Sequence, residues 1–131
     1  MTYQNNIYLD THILVWLYQS KTSQLSKGVV EKLENINNQF LVSPMVILEL
    51  EFLYEIGRIN ASAGQIFQHI KEVLELKICQ KSWLDVVNLA NQLKFTRDPF
   101  DRLIVANAML NDNVLISKDN KISEFYKRCF W

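Results

Sequence analysis

Glycine and proline are scarce, three Gly and two Pro in 131 residues. Collagen-like, low-complexity and turn-dense all-β chains need many more of these breakers, which leaves mainly helices and short buried strands. Net charge is missing as well, since 14 Lys+Arg face 14 Asp+Glu. Such a chain does not coat nucleic acid through its overall field, so a polyanion must be held by a local patch or through a cation bound among acids. No apolar run approaches the ~18–20 residues of a membrane span. Residues 1–6 are polar and 7–9 too short for an h-region, so neither a signal peptide nor a membrane anchor is expected. Cysteine is limited to Cys79 and Cys129 at no metal-ligand spacing, read as small hydrophobes in a reducing cytoplasm.

What is present is a globular composition, 49% hydrophobic and 21% charged. A chain this long buries roughly two-thirds of its unfolded surface, so one domain over residues 1–131 is expected. Short apolar runs at 3–9, 39–42, 76–79 and 114–117 predict buried strands. Helical periodicity falls between them at 13–18, 25–36, 44–56, 63–74, 83–93 and 99–110, with Leu25, Val29, Val30, Leu33 and Ile36 on one face of the second. Strands alternating with helices imply an α/β fold with a central parallel sheet flanked by helices, and 125–131 could add an edge strand. Helix starts are signalled at Ser43-Pro44, Ser82 to Asp85 and Asp98-Pro99, and Gly57 closes the third helix.

Open parallel sheets gather chemistry where the strands end. Asp10 follows the first apolar run directly, and Asp119 lies just past the fourth. The helix from Pro44 starts at the end of the second strand and brings Glu49 within about two turns of that edge. The helix from Pro99 precedes the fourth strand through a short loop, so its start, with Asp98 and Asp101, meets the edge too. Glu49 stands in a stripe formed by Met45, Val46, Phe52, Leu53 and Ile56, whereas Glu51 and Glu55 belong to the solvent face. Asp101 is flanked likewise by Ile104, Val105 and Ala108. Clustered carboxylates stay ionised only with a cation among them, and hard oxygen ligands favour Mg²⁺ or Mn²⁺ over zinc. Such a site suits phosphodiester hydrolysis by an activated water.

These blocks resemble the PIN domain, and within it the VapC-type toxin ribonucleases of toxin–antitoxin pairs. The resemblance rests on Tyr8-Leu9-Asp10-Thr11-His12 with Leu14 and Trp16, on Val42-Ser43-Pro44 through Glu49-Leu50 to Gly57-Arg58-Ile59, on Asp98-Pro99-Phe100-Asp101-Arg102-Leu103-Ile104-Val105-Ala106, and on Leu115-Ile116-Ser117-Lys118-Asp119. It covers nearly the whole chain and implies a three-layer PIN-like α/β fold. It also implies a Mg²⁺- or Mn²⁺-dependent endoribonuclease, a hydrolase leaving 5′-phosphate and 3′-hydroxyl ends, inhibited by an antitoxin protein and usually a homodimer. Asp10, Glu49, Asp101 and Asp119 match the acidic quartet, Asp98 is a further ligand or only a helix cap, and Thr11 and Ser117 match supporting hydroxyls. Where the family usually has Thr-Arg-Asp, Ser117-Lys118-Asp119 keeps a cation but loses its bidentate geometry.

Blander readings stand beside these. Asp98 and Asp101 suit a helix start in any protein, and Asp10 and Asp119 suit strand-end turns. Glu49 could pair with an arginine. His12 reads as hydrogen-bonded support, and Trp16, Trp83, Phe130 and Trp131 read as core or interface. Arg97, Arg102 and Lys118 crowd around the acid-bearing turns and are the candidates for RNA phosphates. Two other functions remain open: a phosphorelay receiver, for which Lys118 and the strand-end acids are superficially suitable, and a non-catalytic PIN-fold interaction module.

Overall fold

The computed structural model describes residues 5–131, so residues 3–4 of the first expected strand lie outside the described part. Five strands, β1 (Asn5–Leu9), β2 (Asn38–Val42), β3 (Lys77–Ile78), β4 (Val114–Ile116) and β5 (Cys129–Phe130), form one sheet in the order β3-β2-β1-β4-β5. Every pairing is parallel, with Ile7 opposite Phe40 and Leu9 opposite Ile116. Among the described residues, seven helices accompany them: α1 (Thr11–Tyr18), α2 (Lys27–Glu34), α3 (Pro44–Glu55), α4 (Ala63–Leu74), α5 (Trp83–Ala90), α6 (Pro99–Met109) and α7 (Asn120–Phe125). The result is a three-layer α/β fold. Its centre is the apolar second half of β1, Ile7 to Leu9, beside β4, and Leu9, Leu115 and Ile116 are fully buried, as strands covered on both faces require.

Helix starts follow their caps. Ser43 accepts from the Met45 N–H ahead of Pro44 at the first helical position, and Ser82 accepts from the Asp85 N–H. A full capping box joins Ser62 and Gln65 at the start of α4, where sequence reading marked no signal. Gly57 takes a positive φ of 78° after α3. With glycine so rare, Ser20, Glu75, Asn111 and Asp112 occupy the same left-handed region at other turns, a small cost that Asn and Asp bear best.

Four expectations need correction. The second helix ends at Glu34, so Ile36 leaves its apolar face and is 75% exposed. Phe125 closes α7, a helix the sequence did not announce, and the edge strand is only Cys129–Phe130. On α3 the buried side chains are Val46 and Leu50, while Phe52 and Ile56 are exposed. Glu51 is not simply solvated, because its carboxylate accepts from the Ala63 N–H at 3.1 Å and ties α3 to the start of α4.

A polar network pins the helices behind the sheet. Asn107 of α6 accepts from the Ser43 hydroxyl at 2.5 Å and donates to Cys79 Sγ at 3.1 Å, and the Tyr8 hydroxyl donates to the same sulfur at 3.0 Å. Lys81 Nζ donates to the carbonyls of Asn107 and Leu110 and to Asn113 Oδ1, capping the carboxyl end of α6 where a cation suits the helix dipole. Replacing Lys81 with Met keeps most of the apolar stem and strands these acceptors. The variant is expected to lose about 2 kcal/mol of stability in urea unfolding, and an unchanged midpoint would contradict the capping role.

Candidate active site

The sheet order reverses direction between β1 and β4, and a crevice opens at the carboxyl ends of strands flanking such a switch point. Asp10 terminates β1 and caps α1, with its Oδ1 accepting from the Thr11 N–H at 2.8 Å. Ser117 follows β4, and its hydroxyl donates to Asp10 Oδ2 at 2.6 Å. Both oxygens of this nearly buried carboxylate are therefore oriented by neighbours. Asp119 starts α7, accepting from the Ile122 N–H at 3.1 Å, while its own N–H donates to Ser117 Oγ. Glu49 arrives on α3, where Thr11 Oγ1 donates to Glu49 Oε1.

The start of α6 supplies the remaining acids. Asp98 is the N-cap, its Oδ1 accepting from the Phe100 and Asp101 N–H groups, so its capping role is a fact of the structure. Asp10, Glu49, Asp98, Asp101 and Asp119 all line one hollow of about 360 Å³, whose wall is completed by His12, Trp16 and Lys118. Arg97 and Arg102 do not reach it. They line a separate hollow of about 190 Å³ beside Pro99, and Arg102 Nε donates to the Thr96 carbonyl at 2.7 Å. Sequence reading did not single out Trp16 as part of the hollow, although its place on α1, six residues past Asp10, could have done so.

The carboxylates feel one another. Burial pushes Asp101 up to about 7, and the charges of Asp98, Asp10, Asp119 and Glu49 add to the shift. Glu49 is raised chiefly by burial and further by Asp10 and Asp98, against the lowering effect of its Thr11 hydrogen bond. Burial raises Asp10 too, opposed by its Ser117 and Thr11 donors. Among the described residues, no three His, Cys, Asp or Glu side chains stand close enough to make a ready-formed metal site. The donor set is nonetheless all hard oxygen, and its mutual repulsion is what a divalent cation would relieve, so the residues present fit Mg²⁺ or Mn²⁺ in kind.

Comparison with known proteins bears on the fold. The family model described as PIN domain matches residues 7–128. No curated protein matches the chain. Among solved structures, the chain is similar to a VapBC2 complex of Rickettsia felis bound to a promoter DNA fragment, with TM-score 0.66, 16% identity, and 95% of this chain and 96% of that one covered. It is also similar to a toxin–antitoxin complex from Klebsiella pneumoniae, TM-score 0.62, 18% identity, covering 95% and 96%. A third is VapBC-1 from nontypeable Haemophilus influenzae, TM-score 0.58, 20% identity, covering 94% and 91%.

The raised carboxyls set the pH behaviour of the metal-free protein. A carboxyl raised on folding takes up a proton as the chain folds, so its contribution favours the folded state at low pH. That contribution is lost as pH rises through the folded value, about 7 for Asp101. The melting temperature in a chelator should therefore fall between about pH 5 and pH 8 by roughly 5 °C more in the wild type than in Asp101→Asn. Equal falls would show that Asp101 does not carry the strain.

Proposed function

The chain belongs to the PIN-domain family, and from that membership we propose that it is a divalent-metal-dependent endoribonuclease acting as the toxin of a toxin–antitoxin pair. One observation carries the proposal: five carboxylates from four separate segments line a single hollow at the switch point of the sheet. Asp10, Glu49, Asp101 and Asp119 would hold Mg²⁺ or Mn²⁺, with Asp98 free to join them through the oxygen that does not cap α6. A divalent cation, when bound, supplies positive charge for the scissile phosphate and an activated water.

The chain's own residues set the stage for that chemistry. Ser117 and Thr11 fix the Asp10 and Glu49 carboxylates in rotation, so their lone pairs face the hollow without reorganising during reaction. Lys118 is exposed on the hollow's wall and is placed to hold a phosphate of the RNA backbone, as a point charge. Arg97 and Arg102, on their separate hollow, are suited to a more distant phosphate along the strand.

The antitoxin partner is supported by the three toxin–antitoxin complexes with this fold. Exposed Leu48 and Phe52 on α3 with Ile56 at its C-cap, and Trp83 and Leu84 on α5, supply apolar surface for a protein partner or a second copy of the chain. Two free thiols suit the reducing cytoplasm in which a single-domain toxin of this kind would work. Among the described residues, no helix is long and apolar enough to cross a membrane. The receiver reading loses ground, because receivers order their strands 2-1-3-4-5, whereas β1 stands at the centre here.

RNA cleavage in Mg²⁺ or Mn²⁺ by purified variants tests the proposal. Asp10→Asn and Asp101→Asn are expected to abolish it, and Ser117→Ala, which removes the hydrogen bond that orients Asp10 and the one that Ser117 accepts from the Asp119 N–H, to lower it by about 10–100-fold. Cleavage by Asp10→Asn at the wild-type rate would refute the assignment and leave the non-catalytic module as the better reading.

A further inference from the structure

Beside the acids stands an aromatic corner. Trp16 of α1 is half-buried and lines the acid hollow, and Trp131, just past β5, packs edge-on against it with ring centroids 6.1 Å apart. Lys118 Nζ lies 5.8 Å from the Trp16 ring and 5.7 Å from that of Trp131, and His12 extends the aromatic wall 5.8 Å from Trp16 on the other side. Trp131 is 36% exposed and Trp16 packs only partly against the core, so the core role, one of the two read from the sequence, takes up neither indole wholly. Indole surface is left open to solvent at the rim of the acid-lined hollow.

That juxtaposition matters for a polyanion. Carboxylates in the hollow repel every phosphate except the one held through a cation, so the neighbouring nucleotides must be held by something other than the acids. A base has an apolar π-face that stacks on indole whatever its identity, and an ammonium beside the indoles can meet the adjoining phosphate. We propose that Trp16 and Trp131 form a stacking platform for an unpaired nucleobase flanking the scissile phosphate, with Lys118 holding the phosphate next to it. A base held in this way must be free of its own stack, which the bases of a continuous duplex are not. This rests on the nuclease reading and adds to it the groups that grip the strand.

The test uses the Trp83→Phe protein, whose emission comes from Trp16 and Trp131 alone. A short oligoadenylate, and an abasic ribose-phosphate backbone of the same length, are titrated in while fluorescence is followed. Oligoadenylate should quench the emission and bind roughly tenfold more tightly than the abasic strand. In that background, Trp131→Leu, which keeps apolar bulk without a π-face, should erase the preference, and Trp131→Phe should retain most of it. An abasic strand that binds as tightly as oligoadenylate, or a preference undiminished in Trp131→Leu, overturns the platform and leaves Lys118 as the only contact there. Cleavage of a mixed-sequence RNA by the wild type, measured in parallel, separates the two ideas. Cleavage combined with equal binding of oligoadenylate and the abasic strand overturns the platform alone, tighter binding of oligoadenylate without cleavage overturns the nuclease reading alone, and the absence of both overturns both.

Discussion

Repulsion among carboxylates in a shared, partly buried hollow is the constraint on which the rest of this structure turns. Left alone, Asp10, Glu49, Asp98, Asp101 and Asp119 would drift apart, and burial, with the neighbouring charges adding to it, pushes Asp101 up to about 7. The fold opposes the drift with hydroxyls. Ser117 holds Asp10 across the β1–β4 switch point, and Thr11 holds Glu49 across from α1 to α3. Each is a charge-assisted hydrogen bond to an acid, stronger than a neutral one and directional. The strain among the acids is the physical reason that the site should welcome a cation.

The apparatus behind the sheet has the same purpose at longer range. Three of the acids sit on α3 and α6, whose separation depends on the Ser43–Asn107 hydrogen bond, on Cys79 as a buried acceptor, and on Lys81 gripping the far end of α6. A shift of α6 by a fraction of an ångström would move Asp98 and Asp101 together, because both lie in its first turn and the Asp98 cap ties them. Cys79 therefore works as a hydrogen-bonding hub with its thiol enclosed. That placement, rather than any reactivity, accounts for a cysteine at this point.

Much of this was legible in the sequence, for a definite reason. Parallel strands buried on both faces leave unmistakable apolar runs, so β1, β2 and β4 and the edge of the sheet they define could be placed from residues alone. Caps and prolines then fixed where α3 and α6 begin, which carried Glu49, Asp98 and Asp101 to that edge. The failures have physical causes as well. Helical period cannot reveal where neighbouring layers stop, so Ile36, Phe52 and Ile56 were assigned to apolar faces that the neighbouring layers leave exposed or, at Phe52, cover only in part. The α7 helix is six residues long, too short to display a period, and its start signal was Asp119 itself, read as a site residue or a strand-end turn but not as a helix cap. Arg97 and Arg102 are neighbours of the acids in sequence, yet α6 points them to another hollow. Trp16 and Trp131 are 115 positions apart, and the β1–β4 and β4–β5 pairings together bring them close.

The central claim is that the carboxylates at the switch point act as one divalent-cation site. Titration with Mn²⁺, with free ion followed by its paramagnetic resonance, tests this without needing an RNA substrate. Saturable binding that Mg²⁺ displaces, and that Asp10→Asn and Asp119→Asn each weaken although they come from opposite ends of the chain, is the result expected. Mn²⁺ binding that neither substitution alters, or no saturable binding to the wild type, would contradict it.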